Sequence, residues 1–153
     1  MGIGTNKVFK DGLKRVSKPG ASLRVWRDYF PNARIYGGDI DPKTMFIEKR
    51  IKTLKVDQFS AVSIKRMWNQ IKIKNFDLII DDGCHQFEGT IIFFLNSINF
   101  LSNDGLFIIE DVYDKDKKKF LEYFSQLSYR YYFFDLSNDF EQKDNNLFII
   151  KKK

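Results

Sequence analysis

The chain has 153 residues, 43% of them apolar and 16% aromatic, which is enough for one sizeable core and too few for two ordinary domains, so a single domain is expected. Lys and Arg number 26 against 20 Asp and Glu, a formal charge of +6, but the cations cluster only at Lys117 to Lys119 and at the last three residues, so a nucleic-acid partner ranks last. One cysteine, Cys84, and one histidine, His85, exclude an intramolecular disulfide and a Cys/His zinc site; with no signal peptide and no membrane-length apolar run, a soluble cytoplasmic protein is expected.

Gly2 and Gly4 open the chain as a loop, and a polar stretch closes at Pro19 and Gly20. Ala21 to Phe30 is amphipathic and reads as a short helix, broken by Pro31 and Asn32. Arg34 to Asp39 is a strand-like run ending in an acid. A helical turn is predicted from Pro42, because proline suits the first helical position. Thr53 to Val56 reads as a brief strand, and Ser60 to Ile73 sets Val62, Ile64, Met67, Trp68 and Ile71 at spacings mostly compatible with one helical face. Phe76 to Asp81 is nearly all apolar, as a strand buried on both faces would be. Gln86 to Leu101 reads as a helix, Gly105 to Glu110 as another buried strand, and Lys115 to Leu127 as a Lys-rich helix. Tyr131 to Leu136 and Asn146 to Lys151 read as two strands of an antiparallel hairpin.

Strands alternating with helices predict a parallel α/β sheet covered on both faces, with the terminal hairpin as an antiparallel edge. Ligands of such sheets sit beyond the carboxyl ends of the strands. Asp39, Asp57, Asp81, Asp82, Glu110 and Asp111 all fall at or just after such ends, and are expected on one rim. Each alone has a plainer reading, since an acid after a strand also caps a helix and Asp82-Gly83 also makes a turn. His85 follows in the same loop as Asp82, and an imidazole with an ordinary pKa of about 6.5 suits a general base.

The segments Gly2 to Thr5 (GIGT), Gly20 to Asp41, Val56 to Gln58 (VDQ), Phe76 to His85 (FDLIIDDGCH) and Gly105 to Val112 (GLFIIEDV) resemble class I S-adenosylmethionine-dependent methyltransferases. Among these, the set resembles the metal-dependent sugar O-methyltransferases of the macrocin and mycinamicin type. The resemblance implies a Rossmann-like methyltransferase sheet, mostly parallel, whose last strand is antiparallel. It implies S-adenosylmethionine bound by Gly2, Gly4 and Thr5 at the close turn, by Asp39 at the ribose, by Asp57 and Gln58 at the adenine edge and by Asp81 at the amino-acid tail. His85 takes the role of base, and Asp82, Glu110 and Asp111 offer the oxygen ligands that suit Mg2+. The implied acceptor is a small molecule bearing a hydroxyl, a sugar or another polyhydroxylated compound.

One departure bears on activity. In the family a complete buried strand ending in an acid precedes the first glycine, and here Met1 stands in the place of that acid. The first strand is therefore expected to be largely missing, whether through an upstream start, a decayed fragment that no longer binds the cofactor, or rearrangement of Val8 and its neighbours. Pairing into a homo-oligomer would cover the strand edges so exposed.

Overall fold

Residues 18–136 and 145–153 are described by the computed structural model, in two units that divide between Asp57 and Gln58. Gly2, Gly4, Thr5 and the expected loss of a first strand lie outside the described residues.

In the first unit, helix α1 (Ala21–Tyr29) starts at Gly20, whose φ of 85° is a left-handed conformation and whose Cβ, if present, would meet the Phe46 ring at 2.2 Å. Glycine is required there on both counts. The helix stops at the extended Phe30, ahead of Pro31. Strand β1 (Ile35–Asp39) runs parallel to β3 (Ile51–Lys55), with Ile35 opposite Ile51 and Asp39 opposite Lys55. Between them, Pro42–Thr44 forms a single 3-10 turn in which the Asp41 carboxylate accepts from the Lys43 N–H. Strand β2 (Ile47–Glu48) pairs antiparallel with β3, giving the order β1-β3-β2. Two residues are too few to show a period, so β2 is absent from the sequence reading.

In the second unit, α2 (Ala61–Ile71) is capped by the Ser60 hydroxyl, which accepts from the Ser63 N–H. Its buried face holds Ile64, Met67, Trp68 and Ile71, whereas Val62, expected on that face, is 68% exposed. Strand β4 (Phe76–Asp81) runs parallel to β5 (Leu101–Val112), with α3 (Phe87–Ser97) and a 3-10 turn at Ile98–Phe100 as the crossover. Helix α4 (Asp114–Ser125) follows, then β6 (Tyr129–Asp135) and β7 (Asn146–Lys152). The strand order is β4-β5-β7-β6. Strand β7 inserts between β5 and β6 and is antiparallel to both. Among the described residues, two ladders are parallel and three antiparallel, so antiparallel pairing extends beyond the expected terminal hairpin.

One face of this sheet carries Ile79, Phe107, Ile109, Phe148 and Ile150, all buried. Phe94 of α3 meets Phe107 and Phe124 edge to face, with ring centres 5.2 and 5.0 Å apart. Trp68 stacks on Phe100 at 4.4 Å and donates its indole N–H to the Ser97 hydroxyl at 3.0 Å. That pairing satisfies a polar group that burial would otherwise penalise. Among the described residues, no helix is long and apolar enough to cross a membrane.

Candidate metal and proton-transfer site

The carboxyl ends of β4 and β5 build the site. Strand β4 closes at Asp81, and the chain turns through Asp82, Gly83, Cys84 and His85 before α3 begins at Phe87. On β5, Ile109 pairs with Phe148 but the next pair is Val112 with Asn146, so one extra residue is bulged out of the strand. A bulge of this kind bends a strand and re-aims side chains. Asp111 in the bulge has φ 52°, and His85 in the facing loop has φ 51°. Neither residue enters the left-handed region without surroundings that hold it there.

These two turns bring three side chains together. The His85 Nε2 lies 3.2 Å from Oδ1 of Asp82 and 3.8 Å from Oδ2 of Asp111. One ligand atom from each of the three falls within 4.8 Å of the others, and all three side chains are half-buried. The hydrogen bond to Asp82 raises the His85 pKa above its ordinary value, against the opposing effect of burial and with the Asp111 charge adding to the rise. Glu110, expected in the same set, is half-buried but does not belong to this three-residue cluster, whose third member is His85; burial raises the Glu110 pKa first, and the negative charges of Asp82 and Asp111 raise it further. Mutual repulsion among these acids is what a bound cation would relieve.

Asp81 and Gln58 are placed differently from the others. Both are buried, and the Gln58 Nε2 lies 2.8 Å from each oxygen of the Asp81 carboxylate. The Gln58 Oε1 accepts from the Cys84 backbone N–H at 3.0 Å. Burial raises the Asp81 pKa, with the Gln58 and Thr90 hydrogen bonds working in the other direction. In the first unit, Asp39 ends β1; its Oδ1 accepts from the Asp41 N–H at 2.9 Å, and its carbonyl accepts from the Val56 N–H at 2.8 Å. Asp57 follows β3 and is half-buried.

The sequence reading missed the residues that widen the site. A cavity of about 620 Å³ opens beside His85, lined also by Cys84, Phe87, Glu88, Tyr113, Lys115 and Lys119. Tyr113 stands at the junction of β5 and α4, where the Asn146 Nδ2 donates to the Val112 carbonyl and to Asp114 Oδ1, both at 2.8 Å. The Lys115 ammonium lies 5.0 Å from the Tyr113 ring centre, and Lys119 pairs with Asp116 at 3.0 Å. The position of Tyr113 just past the Glu110-Asp111 pair was the available clue, but only the turn into α4 brings it alongside the loop of His85.

No protein-family model matches the chain. It is 35% identical over 102 residues to an 8-demethyl-8-(2-methoxy-alpha-L-rhamnosyl)-tetracenomycin-C 3'-O-methyltransferase of Streptomyces olivaceus, covering 67% of this chain and 26% of that protein. To the mycinamicin VI 2''-O-methyltransferase of Micromonospora griseorubida it is again 35% identical over 102 residues, 67% of this chain and 25% of the relative. To the demethylmacrocin O-methyltransferase of Streptomyces fradiae it is 34% identical over 110 residues, 70% of this chain and 27% of the relative. The chain thus spans about a quarter of the length of the curated relatives it matches. The solved structure of the MycE methyltransferase of the mycinamycin pathway, in complex with Mg, SAH and mycinamycin VI, superposes with a TM-score of 0.71 at 23% identity, over 99% of this chain and 42% of the other. A ribosomal RNA methylase of Clostridium thermocellum, described as putative, superposes at 0.64 and 16% identity, over 87% of this chain and 80% of the other. By sequence the chain is a relative of the macrocin- and mycinamicin-type sugar O-methyltransferases over about a quarter of their length, and by fold it is a methyltransferase-like α/β chain.

Proposed function

We propose that the chain takes part in S-adenosylmethionine-dependent, metal-assisted methyl transfer to a hydroxyl of a sugar or other small polyhydroxylated acceptor. The observation that carries this reading is the convergence of Asp82, His85 and Asp111 from the ends of two adjacent parallel strands, beside an open cavity. The names of the sequence relatives, sugar O-methyltransferases all, supply the acceptor class.

A neutral hydroxyl is a poor nucleophile, so the site must take its proton. With its Nε2 hydrogen donated to Asp82, His85 keeps the lone pair on Nδ1, and that atom accepts the hydroxyl proton as the new O–C bond forms. The imidazolium so produced is held by the Asp82 and Asp111 carboxylates, the same contacts that raise its pKa. Asp82 and Asp111 offer carboxylate oxygens suited to a hard divalent cation such as Mg2+, and Glu110, next to Asp111 in the chain, is a candidate third oxygen ligand. When bound there, such a cation lowers the pKa of an acceptor hydroxyl and fixes its position. S-adenosylmethionine, when bound, would supply a methyl group on a sulfonium, whose S–CH3 bond breaks as the O–C bond forms and whose electron pair leaves with the neutral thioether S-adenosylhomocysteine. Asp39 suits the ribose hydroxyls and Asp57 the adenine edge, both at the ends of the parallel pair β1 and β3.

Calorimetric titration of the purified protein with S-adenosylmethionine, with and without Mg2+, tests this reading, alongside His85→Ala. Micromolar cofactor binding that survives loss of the histidine, together with loss of methyl transfer to a panel of sugar acceptors, is the expected result. A folded protein that binds no cofactor under either condition would leave a non-catalytic relative of the methyltransferases.

A further inference from the structure

We propose that Gln58 is a positioning residue, anchored on Asp81, that fixes the loop carrying Asp82 and His85. The proposal rests on the reading of that loop as the metal and proton-transfer site. A glutamine at the foot of α2 that was to read an adenine edge would need an accessible amide. Here the residue is 8% exposed and both ends of its amide are already engaged. The nitrogen faces the two Asp81 oxygens at 2.8 Å, and the oxygen accepts the Cys84 N–H at 3.0 Å. Asp81 is itself 2% exposed at the end of β4, so the amide links a rigid strand to the middle of the loop.

The neighbouring glycines point to the same fit. A Cβ on Gly83 would lie 2.2 Å from the Gln58 Oε1 and 3.1 Å from Asp81 Oδ1, so a side chain there would press on the amide and force it or the loop to shift. A Cβ on Gly89 would lie 2.5 Å from the Cys84 sulfur, so the far side of the loop is pressed against the first turns of α3. Between these two supports His85 holds φ 51°, a conformation that must be imposed by its surroundings. Partners that orient metal ligands or a base without touching the metal commonly change affinity or activity ten- to a hundredfold when removed.

His85 is the only histidine, so its imidazole is a unique nuclear magnetic resonance probe of the loop in the full chain. The experiment compares wild type with Gln58→Ala for three readings: the imidazole resonance, hydrogen exchange of the Cys84 amide, and the MnCl2 concentration that broadens the imidazole signal. The expected result is a shifted imidazole resonance, at least a tenfold loss of Cys84 protection, and about a tenfold or greater rise in the Mn2+ required. Amides of β7 such as Ile150 should keep their protection. Gln58→Glu alone should behave like Gln58→Ala at neutral pH, because it sets two carboxylates face to face. Combined with Asp81→Asn, which exchanges donor for acceptor, it should restore all three readings. Should Gln58→Ala fail to fold, Gly83→Ala presses on the same amide and should give the same changes. An imidazole resonance and Mn2+ requirement unchanged from wild type overturn the proposal, even where Cys84 protection falls. If Mn2+ leaves the wild-type imidazole unbroadened, the metal reading fails by itself, and the joint movement of the imidazole resonance and Cys84 protection still decides the role of Gln58.

Discussion

Nε2 of His85 lies 3.8 Å from Oδ2 of Asp111, and both residues reach that position through left-handed backbone, φ 51° and 52°. For an L residue this region costs roughly 1–2 kcal/mol, less for aspartate, and glycine escapes it at some cost in unfolded-state entropy. Asp111→Gly should therefore leave the unfolding free energy within about 1 kcal/mol of wild type, relieved strain offsetting the entropy of glycine, while weakening Mg2+ or Mn2+ binding at least tenfold. Urea denaturation and metal titration of the same sample check both halves. A loss well beyond that would show that the contacts of the Asp111 carboxylate outweigh any strain relieved in the bulge of β5.

The indole N–H of Trp68 has Ser97 as its acceptor in a fully packed environment, and Ser97 is 0% exposed. Ser97→Ala removes the acceptor and leaves the donor buried, which should cost about 1–3 kcal/mol. Phe94→Ala removes a ring in edge-to-face contact with Phe107, Phe124 and Tyr129, and should cost about 3–5 kcal/mol. Equilibrium unfolding in urea orders the two. Equal costs would contradict the placement of Phe94 at the centre of the second unit's core.

The elements that the sequence made legible are those whose period or punctuation is strong. Phe76 to Asp81 is bounded by its own apolar run and two acids, and β4 has those bounds. Helix α2 was legible from its apolar face, except at Val62, which helical spacing sets on the opposite, exposed side. What was not legible is long-range. The insertion of β7 between β5 and β6 depends on which strand edge is open, and no local pattern records that. The start of β5 at Leu101 was hidden by an apolar stretch that continues from α3. At the site, the motif DDGCH announced Asp82 and His85, but the engagement of Gln58 with Asp81 and Cys84 is a contact across 23 and 26 residues that only the fold creates.

Glu48 on β2 accepts from Arg24 and Arg27 of α1, with the Arg24 Nη2 at 2.7 Å. The hydrogen bond from Arg24 lowers the Glu48 pKa most, ahead of the opposing effect of burial. A carboxylate with a depressed folded-state pKa contributes stability above its unfolded pKa of about 4.5, and that contribution is lost as the pH falls through the lower folded value. Glu48→Gln should therefore lower the Tm at pH 7 and have progressively less effect as the pH is brought below about 4, where the two proteins converge. Partial exposure of the pair to solvent and screening by salt keep the effect small, and raising the ionic strength should shrink it further. A difference in Tm that persists unchanged at pH 3 would assign the loss to packing of the side chain instead of its charge.

Tyr113 presents an aromatic ring to the cavity beside His85, at a junction that Asn146 holds through the Val112 carbonyl and Asp114. A sugar ring is recognised by an apolar face laid on an aromatic ring and by polar groups at its edge, and Glu88, Lys115 and Lys119 supply such groups around this cavity. Because Asn146 and the backbone of α4 fix the junction, Tyr113→Ala should leave the fold and cofactor binding intact. The acceptor KM should rise about tenfold, equivalent to about 1.4 kcal/mol of lost contact, with Tyr113→Phe close to wild type. Steady-state kinetics with a methylated-sugar assay, paired with calorimetric titration of S-adenosylmethionine, separates the two effects. A KM unchanged in Tyr113→Ala would move the acceptor out of this cavity, whereas a fall in kcat alone would place the ring against the loop of His85 and not against the sugar.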